Sequence, residues 1–237
     1  MPTDIEAMPL VGGHPALDLI NTVSPREVLA DGSVPQDCVT SPAALLAWAC
    51  RAGFVNGAES ELIAQAWQRN PGGGAAALDA VRDLRESLHV MLLDAASLVP
   101  QHPDVAAAAL QRLHGRWLAA VARSALRLNS DASRPDRSAP RPPRLEIGTT
   151  PDLQIQDRIA TAVVDLLLTV DYGRLRRCPP EDGGCGFIVL DQSRNGSRRW
   201  CQMADCGSAA KSRRLTERRR VRRHHATDLP PSATSIN

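Results

Sequence analysis

The sequence predicts a mainly α protein with a small β component. A helical N-terminal domain spans residues 1–173, a treble-clef-like, cysteine-rich finger of β-hairpin and helix spans 174–225, and a flexible tail spans 226–237. Three observations predict this. Apolar residues recur at helical spacing through much of the first part. Four cysteines, Cys178, Cys185, Cys201 and Cys206, stand in C-x6-C-x15-C-x4-C order near the C-terminus. Charge also divides along the chain: residues 1–173 hold 14 Arg against 20 Asp plus Glu, a net of −6, whereas 174–225 hold 14 Lys plus Arg against 5 acids, a net of +9.

The elements follow in chain order. If the stretch after His14-Pro15 is helical, Asp18, Asn21 and Thr22 fall at i, i+3 and i+4 and share one face opposite Leu17 and Ile20. A polar face beside an apolar cleft can bind a small molecule, with His14 joining it; the competing reading is that Asp18 and Asn21 satisfy buried backbone groups. Ser41-Pro42 supplies the cap and first turn of a helix over Ala43–Ala52 that ends at Gly53. A helix over Ala58–Arg69 is closed by Asn70-Pro71-Gly72-Gly73-Gly74. The next, Ala75–Val99, carries Leu78, Val81, Leu84, Leu88, Met91 and Leu92 at helical spacing until Pro100 stops it. Asp104 is the expected cap of a fourth, bearing Val105, Leu110, Leu113, Trp117, Leu118, Val121 and Leu126. The Ser/Pro/Arg stretch of about 130–144 reads as an exposed loop. Arg144–Ile147 and Asp152–Ile155 read as two short strands about a Gly148-Thr149-Thr150-Pro151 turn. A helix over Ile159–Val170 then feeds through Tyr172 and Leu175 into Cys178, so the finger is expected to be held rigidly on the body.

Within the finger, Phe187-Ile188-Val189-Leu190 is a β-prone run, Asp191 to Gly196 is turn chemistry ending in Asn-Gly, and Arg198-Arg199-Trp200 leads back to Cys201. This predicts a hairpin between the two cysteine pairs. Ala209 to about Arg223 lacks Pro and Gly and predicts a helix. Four thiolates suit the tetrahedral preference of Zn²⁺, and a filled tetrad leaves no open position for catalysis, so the metal is read as structural. Two disulfides are the competing reading; the acidic start Met1 to Glu6, with no long apolar run after it, does not look like a secretory signal and speaks for a reducing, cytoplasmic setting. Cys38 and Cys50 lack ligand spacing and read as buried free thiols.

A basic module attracts phosphate backbones by releasing counterions, which makes DNA the expected partner. The candidate contacts are Arg194, Arg198, Arg199, Lys211, Arg213, Arg214 and Arg218. No apolar run approaches the ~18 residues of a membrane span. No nucleophile elbow, H-E-x-x-H or glycine-rich phosphate loop with its Lys is present, so no catalytic residue is assigned. Two-fold operators would favour a homodimer.

These residues resemble bacterial regulators that join an N-terminal ABATE domain to a C-terminal CGNR-type zinc finger. The resemblance rests on Leu17-Asp18-Leu19-Ile20-Asn21-Thr22, similar to an LDxxNT opening, and on Arg177-Cys178, Cys185-Gly186-Phe187, Asp191-Gln192-Ser193-Arg194-Asn195, Arg198 to Met203 and Cys206-Gly207. It implies zinc ligation by the four finger cysteines, DNA binding by the basic residues around them, and a body that senses a small molecule or a stress signal. The chain departs from the pattern twice: Ser208-Ala209 replace the Asn-Arg of the motif, and Pro179 to Gly184 lengthen the first knuckle. An alanine cannot make the contacts of an arginine. The alternative is therefore a ligand-binding protein or enzyme on the same scaffold that has lost DNA binding.

Overall fold

A computed structural model describes residues 5–29, 31–128 and 142–227, without the side chains of 217 and 220–227. Most of the expected loop of 130–144 and the tail from 228 lie outside the described residues. Seven helices and three two-stranded antiparallel sheets are described.

In the body, α1 (Pro15–Ile20), α2 (Pro42–Arg51), α3 (Gly57–Arg69), α5 (Pro103–Ala122) and α6 (Gln154–Thr169) all surround or adjoin α4 (Pro71–Ala95), which packs against each of them. Local chemistry sets the starts. The Ser41 side chain accepts from Ala44 N–H, and Asn56 and Glu59 form a reciprocal capping box with both bonds at 2.9 Å. His102, not Asp104, caps α5, because Pro103 takes the first helical position and turns His102 outside it. Leu78, Val81, Leu84, Leu88 and Leu92 of α4 are buried as their spacing required. On α5 only Ala109, Leu113 and Ala120 are buried; Leu110 and Leu118 face solvent, so its apolar stripe is narrower than the sequence implied.

Two expected strand pairings differ. β4 (Arg144–Glu146) pairs with β3 (Ala125–Arg127), not with Asp152–Ile155. The latter starts as a 3₁₀ turn at Pro151–Leu153 and runs into α6, because Ile155, Ile159, Val163 and Leu166 lie at helical spacing and all reach the core. In the finger, β6 (Ile188–Leu190) pairs with β5 (Leu175–Arg177), and Arg198–Trp200 forms no strand. The hairpin therefore carries the first cysteine pair at its tip instead of linking the two pairs. The remaining sheet joins β1 (Val23–Ser24) to β2 (Gln36–Asp37).

Leu175 and Ile188 belong to the body's hydrophobic core, while Val11 packs against the finger's own small cluster of cysteines, Phe187 and Val189. The two units thus share side chains across their junction. Truncating Ile188 to Ala should lower stability by about 2–5 kcal/mol, as for buried aliphatic residues generally. The loss should appear in the helical circular-dichroism transition of the body as well as in the finger.

Candidate metal centre and basic surface

Cys178 follows β5 and Cys185 precedes β6. Cys201 ends the irregular segment after the hairpin, and Cys206 lies in a single π-helical turn, Met203–Gly207, that runs into α7 (Ser208–Thr227). All four are buried and free of disulfides, and their sulfurs lie within 4.8 Å of one another. Cys185 and Cys201, and Cys201 and Cys206, are 3.5 Å apart. Tetrahedral zinc with bonds of ~2.3 Å needs sulfurs about 3.8 Å apart, so the tetrad fits the ion. Hydrogen bonds among the crowded thiols push Cys178 far below the usual thiol range and Cys185 and Cys201 far above it, so without an ion the cluster shares its protons unequally. Zinc bound by the four thiolates is the structural cofactor of the finger.

The longer first knuckle is accommodated by a 3₁₀ turn at Pro180–Asp182 and by Gly183 at φ 92°. Next to it, a Cβ on Gly184 would stand 2.6 Å from Cys178 Sγ and 2.8 Å from Pro179 O. Only glycine lets the backbone pass that close to a ligand sulfur.

β6 is held on both edges. Toward β5, Cys178 N–H donates to Phe187 O and Asp191 N–H to Arg174 O. On the other edge Asn21 closes the strand from 167 residues away: its Nδ2 donates to Ile188 O at 3.0 Å, and its Oδ1 accepts from Ile188 N–H at 3.1 Å. Leu190 N–H donates to Gly12 O at 2.8 Å. Asp18 fixes that loop by accepting from Gly12 N–H at 2.8 Å, and burial raises its carboxyl to about 6 against the bonds from Gly12 and Val11 that favour ionisation. Thr22 donates to Leu19 O and accepts from Arg85, which also grips Asp37 with two bonds. His14 caps α1 by accepting from Ala16 N–H at 3.1 Å. All four residues expected on a ligand face are thus engaged in bonds within the chain. A groove of about 650 Å³ lies elsewhere, between α3 and the β4 loop, lined by Glu59, Arg144, Glu146 and Arg158 among others.

The seven basic candidates sort into three groups. Arg198 is a backbone clip: its guanidinium donates to the carbonyls of Trp200, Leu190, Val11 and Cys201. Beside it, buried Asp191 accepts from the N–H groups of Ser193 and Arg198, and the Ser193 side chain first, with these N–H groups after it, holds its carboxyl down at about 2. Arg199, stacked 5.3 Å from the Trp200 ring centre, and Arg214 both pair with Asp182 of the lengthened knuckle, and Arg213 reaches Asp31 at 3.4 Å. Arg194, Lys211, Arg218 and Arg219 are exposed and have no acidic partner among the described residues. The role of Arg198 was not legible from the sequence, because charge shows there and carbonyl positions do not.

A helical body joined to a four-thiolate finger with a basic helix defines a zinc-finger protein. The ABATE model, described as "Putative stress-induced transcription regulator", matches residues 13–170, and the CGNR zinc finger model matches residues 174–226. The chain belongs to the ABATE family and carries a CGNR-type zinc finger. No curated protein matches it in sequence. None of the described helices is long and apolar enough to cross a membrane.

Two expectations follow from this geometry. Replacing Cys206 by Ser should abolish stoichiometric zinc, while Gly184→Ala, which removes no ligand, should weaken zinc retention against a chelator at least tenfold by displacing the Cys178 sulfur. Metal content and chelator competition read both.

Asp18 gives a pH signature. Its carboxyl is raised in the folded state from an ordinary value of 3.8 to about 6, so the folded chain holds a proton that the unfolded chain releases. That contribution is complete below about 4 and is lost as pH rises through about 6, an effect of roughly 3 kcal/mol at most. Asp18→Asn should abolish this loss and gain on the wild type between about pH 4 and 6, with a constant difference above that, measured by urea unfolding with zinc in excess.

Proposed function

We propose that the chain regulates transcription by binding DNA through the finger, with the phosphate backbone as the main contact. The observation that carries this reading is the set of exposed cations Arg194, Lys211, Arg218 and Arg219, which have no acidic partner among the described residues, around a helix whose start the metal fixes. Beyond Ala210, the described side chains of α7 are all exposed, so this part of the helix packs no apolar face on the body. A helix polar all round draws its stability from charge pairs or from a partner, and phosphates supply the neutralising charge. Arg199, Arg213 and Arg214 can exchange their surface carboxylates for phosphates, since exposed ion pairs are worth little. Ala209 is exposed at the start of α7 and offers no charge; Lys211 and Arg194 take over that task.

In this reading Asp18, Asn21 and Thr22 join the two units and do not form an effector pocket. A protein that contacts operators in the cytoplasm keeps its thiols reduced, which suits six cysteines of which none is in a disulfide. A homodimer would match a two-fold operator.

The test is the salt dependence of duplex binding by the zinc-loaded protein. Each phosphate contact contributes about −0.9 to the slope of log K against log salt. Neutralising Arg194, Lys211 and Arg218 together should flatten the slope by roughly 2–3. Arg198→Gln should instead lower thermal stability, because it strips bonds from four carbonyls, and leave the slope within half a unit. No binding to duplex at low salt by the zinc-loaded chain would overturn the reading.

A further inference from the structure

Helix α5 carries a second apolar stripe, which the rest of the described body leaves largely open. Its core side is Ala109, Leu113 and Ala120. About a third of a turn away, Ala107, Leu110, His114, Leu118 and Val121 fall within an arc of about 80°, at 3.6 residues per turn. Leu110 and Leu118 are 51% and 48% exposed, Ala107 and His114 are exposed, and Val121 is half-buried. The charged side chains of the helix, Asp104, Arg112 and Arg116, lie off this stripe, and the two arginines turn to Asp83 of α4. A leucine exposed singly needs no explanation, whereas a charge-free stripe along one helix marks a contact surface.

The spacing of the stripe points to its occupant. Leu110 and Leu118 stand four positions from His114 on either side, and Ala107 and Val121 stand seven positions from it on either side. Such a helix, packed antiparallel on its own copy about a two-fold axis at His114, brings each position level with its counterpart. Leu110 then shares a layer with the partner's Leu118, and small Ala107 shares one with the partner's Val121, so every contact occurs twice. The chain offers no comparable cover of its own nearby: the stretch of 129–141, which lies outside the described residues, contains no Leu, Ile, Val, Met or aromatic residue. The available area also suits a second copy. The 20 residues of α5 run about 30 Å, and with the flanks of α4 and α6, whose axes pack about 8–10 Å away, they present a face about 20 Å wide, roughly 600 Å². Two such faces bury about 1,200 Å², the lower limit for a specific interface.

We propose that α5 is the interface of a homodimer in which two copies pack antiparallel across His114. The pairs of Arg112 and Arg116 with Asp83 form its polar rim. This gives the homodimer of the regulator reading its surface, yet rests on no property of the finger.

Sedimentation equilibrium of the full, zinc-loaded chain without DNA reads the association. The wild type should dimerise with a dissociation constant on the order of 10 μM, as suits an interface of this size. Leu110→Glu and Leu118→Arg each place a charge in the seam twice and should each weaken the dimer at least thirtyfold. Both positions are half exposed, so helical circular dichroism and zinc content should stay as in the wild type. Leu62→Glu, at a similarly exposed leucine of α3, should leave the constant within twofold. A mixture of the two seam variants tests the pairing: a mixed dimer holds one intact leucine layer and one layer of opposite charges, and should form at least tenfold more tightly than either variant with itself. A wild type still monomeric at twenty times the expected constant, a dimer indifferent to both seam variants, or a mixture no tighter than its components would each overturn the proposal. Duplex titration is read separately. If the wild type dimerises as stated and binds no duplex at low salt, the regulator reading fails and the interface stands; if it binds duplex and stays monomeric, the interface fails and the regulator reading stands.

Discussion

The free edge of β6 is the constraint on which the arrangement of this protein turns. A two-stranded hairpin cannot leave Ile188 and Leu190 with bare backbone groups in a dry junction, since a buried unpaired N–H or C=O costs about 1–3 kcal/mol. The Asn21 amide satisfies both groups of Ile188, acting as a one-residue strand, and Gly12 O and Arg198 satisfy those of Leu190. Every partner but Arg198 comes from the N-terminal segment. Gly13, at φ 81° and with its Cβ position 3.3 Å from Leu190 Cβ, lets that segment approach the strand. The opening stretch of the chain is therefore as much a part of the finger as the hairpin is.

This sharing explains how a finger with so small a core holds a fixed position. Its cluster contains Phe187, Val189 and four cysteines, too little apolar surface to order some fifty residues unaided. Zinc supplies one source of order, and the body supplies the other through Val11, Leu175 and Ile188. The buried Asp18 carboxyl belongs to the same device: it holds Gly12, which holds Leu190. Its raised pKa is the cost of placing an acid where a backbone N–H needed an acceptor.

What could be read in the sequence was what neighbours decide. Ser41-Pro42 announced α2, the helical recurrence of Val81, Leu84, Leu88 and Leu92 announced the buried side of α4, and cysteine spacing announced the metal. What could not be read was decided by partners far away. Ile188 was legible as a strand residue, but its partner Arg177 and its surrogate Asn21 were not, because local β propensity carries no register. Asp18, Asn21 and Thr22 were visible as a polar helical face, but the groups that they bond, on Gly12, Ile188, Leu19 and Arg85, were not. Arg198 looked like its neighbour Arg199 and does a different job.

The arginines matter most for how the basic region works. A count of +9 over residues 174–225 treats every cation alike, yet Arg198 is spent on carbonyls, and Arg199, Arg213 and Arg214 are held by Asp182 and Asp31. Asp182 stands in the stretch that lengthens the first knuckle, so the insertion brings an acid over the start of α7. The chain that lacks an arginine at position 209 also carries a carboxylate reaching for the arginines that remain. These features move the unshielded charge away from the metal, toward Arg194 on the turn and toward Lys211, Arg218 and Arg219 along the helix. Since the turn that leads into α7 places Cys206 in the tetrad, and Gly207 leaves room there for Met203 and Trp200, the metal sets the direction in which that charge is presented. Loss of zinc would therefore cost the finger its aim as well as its fold.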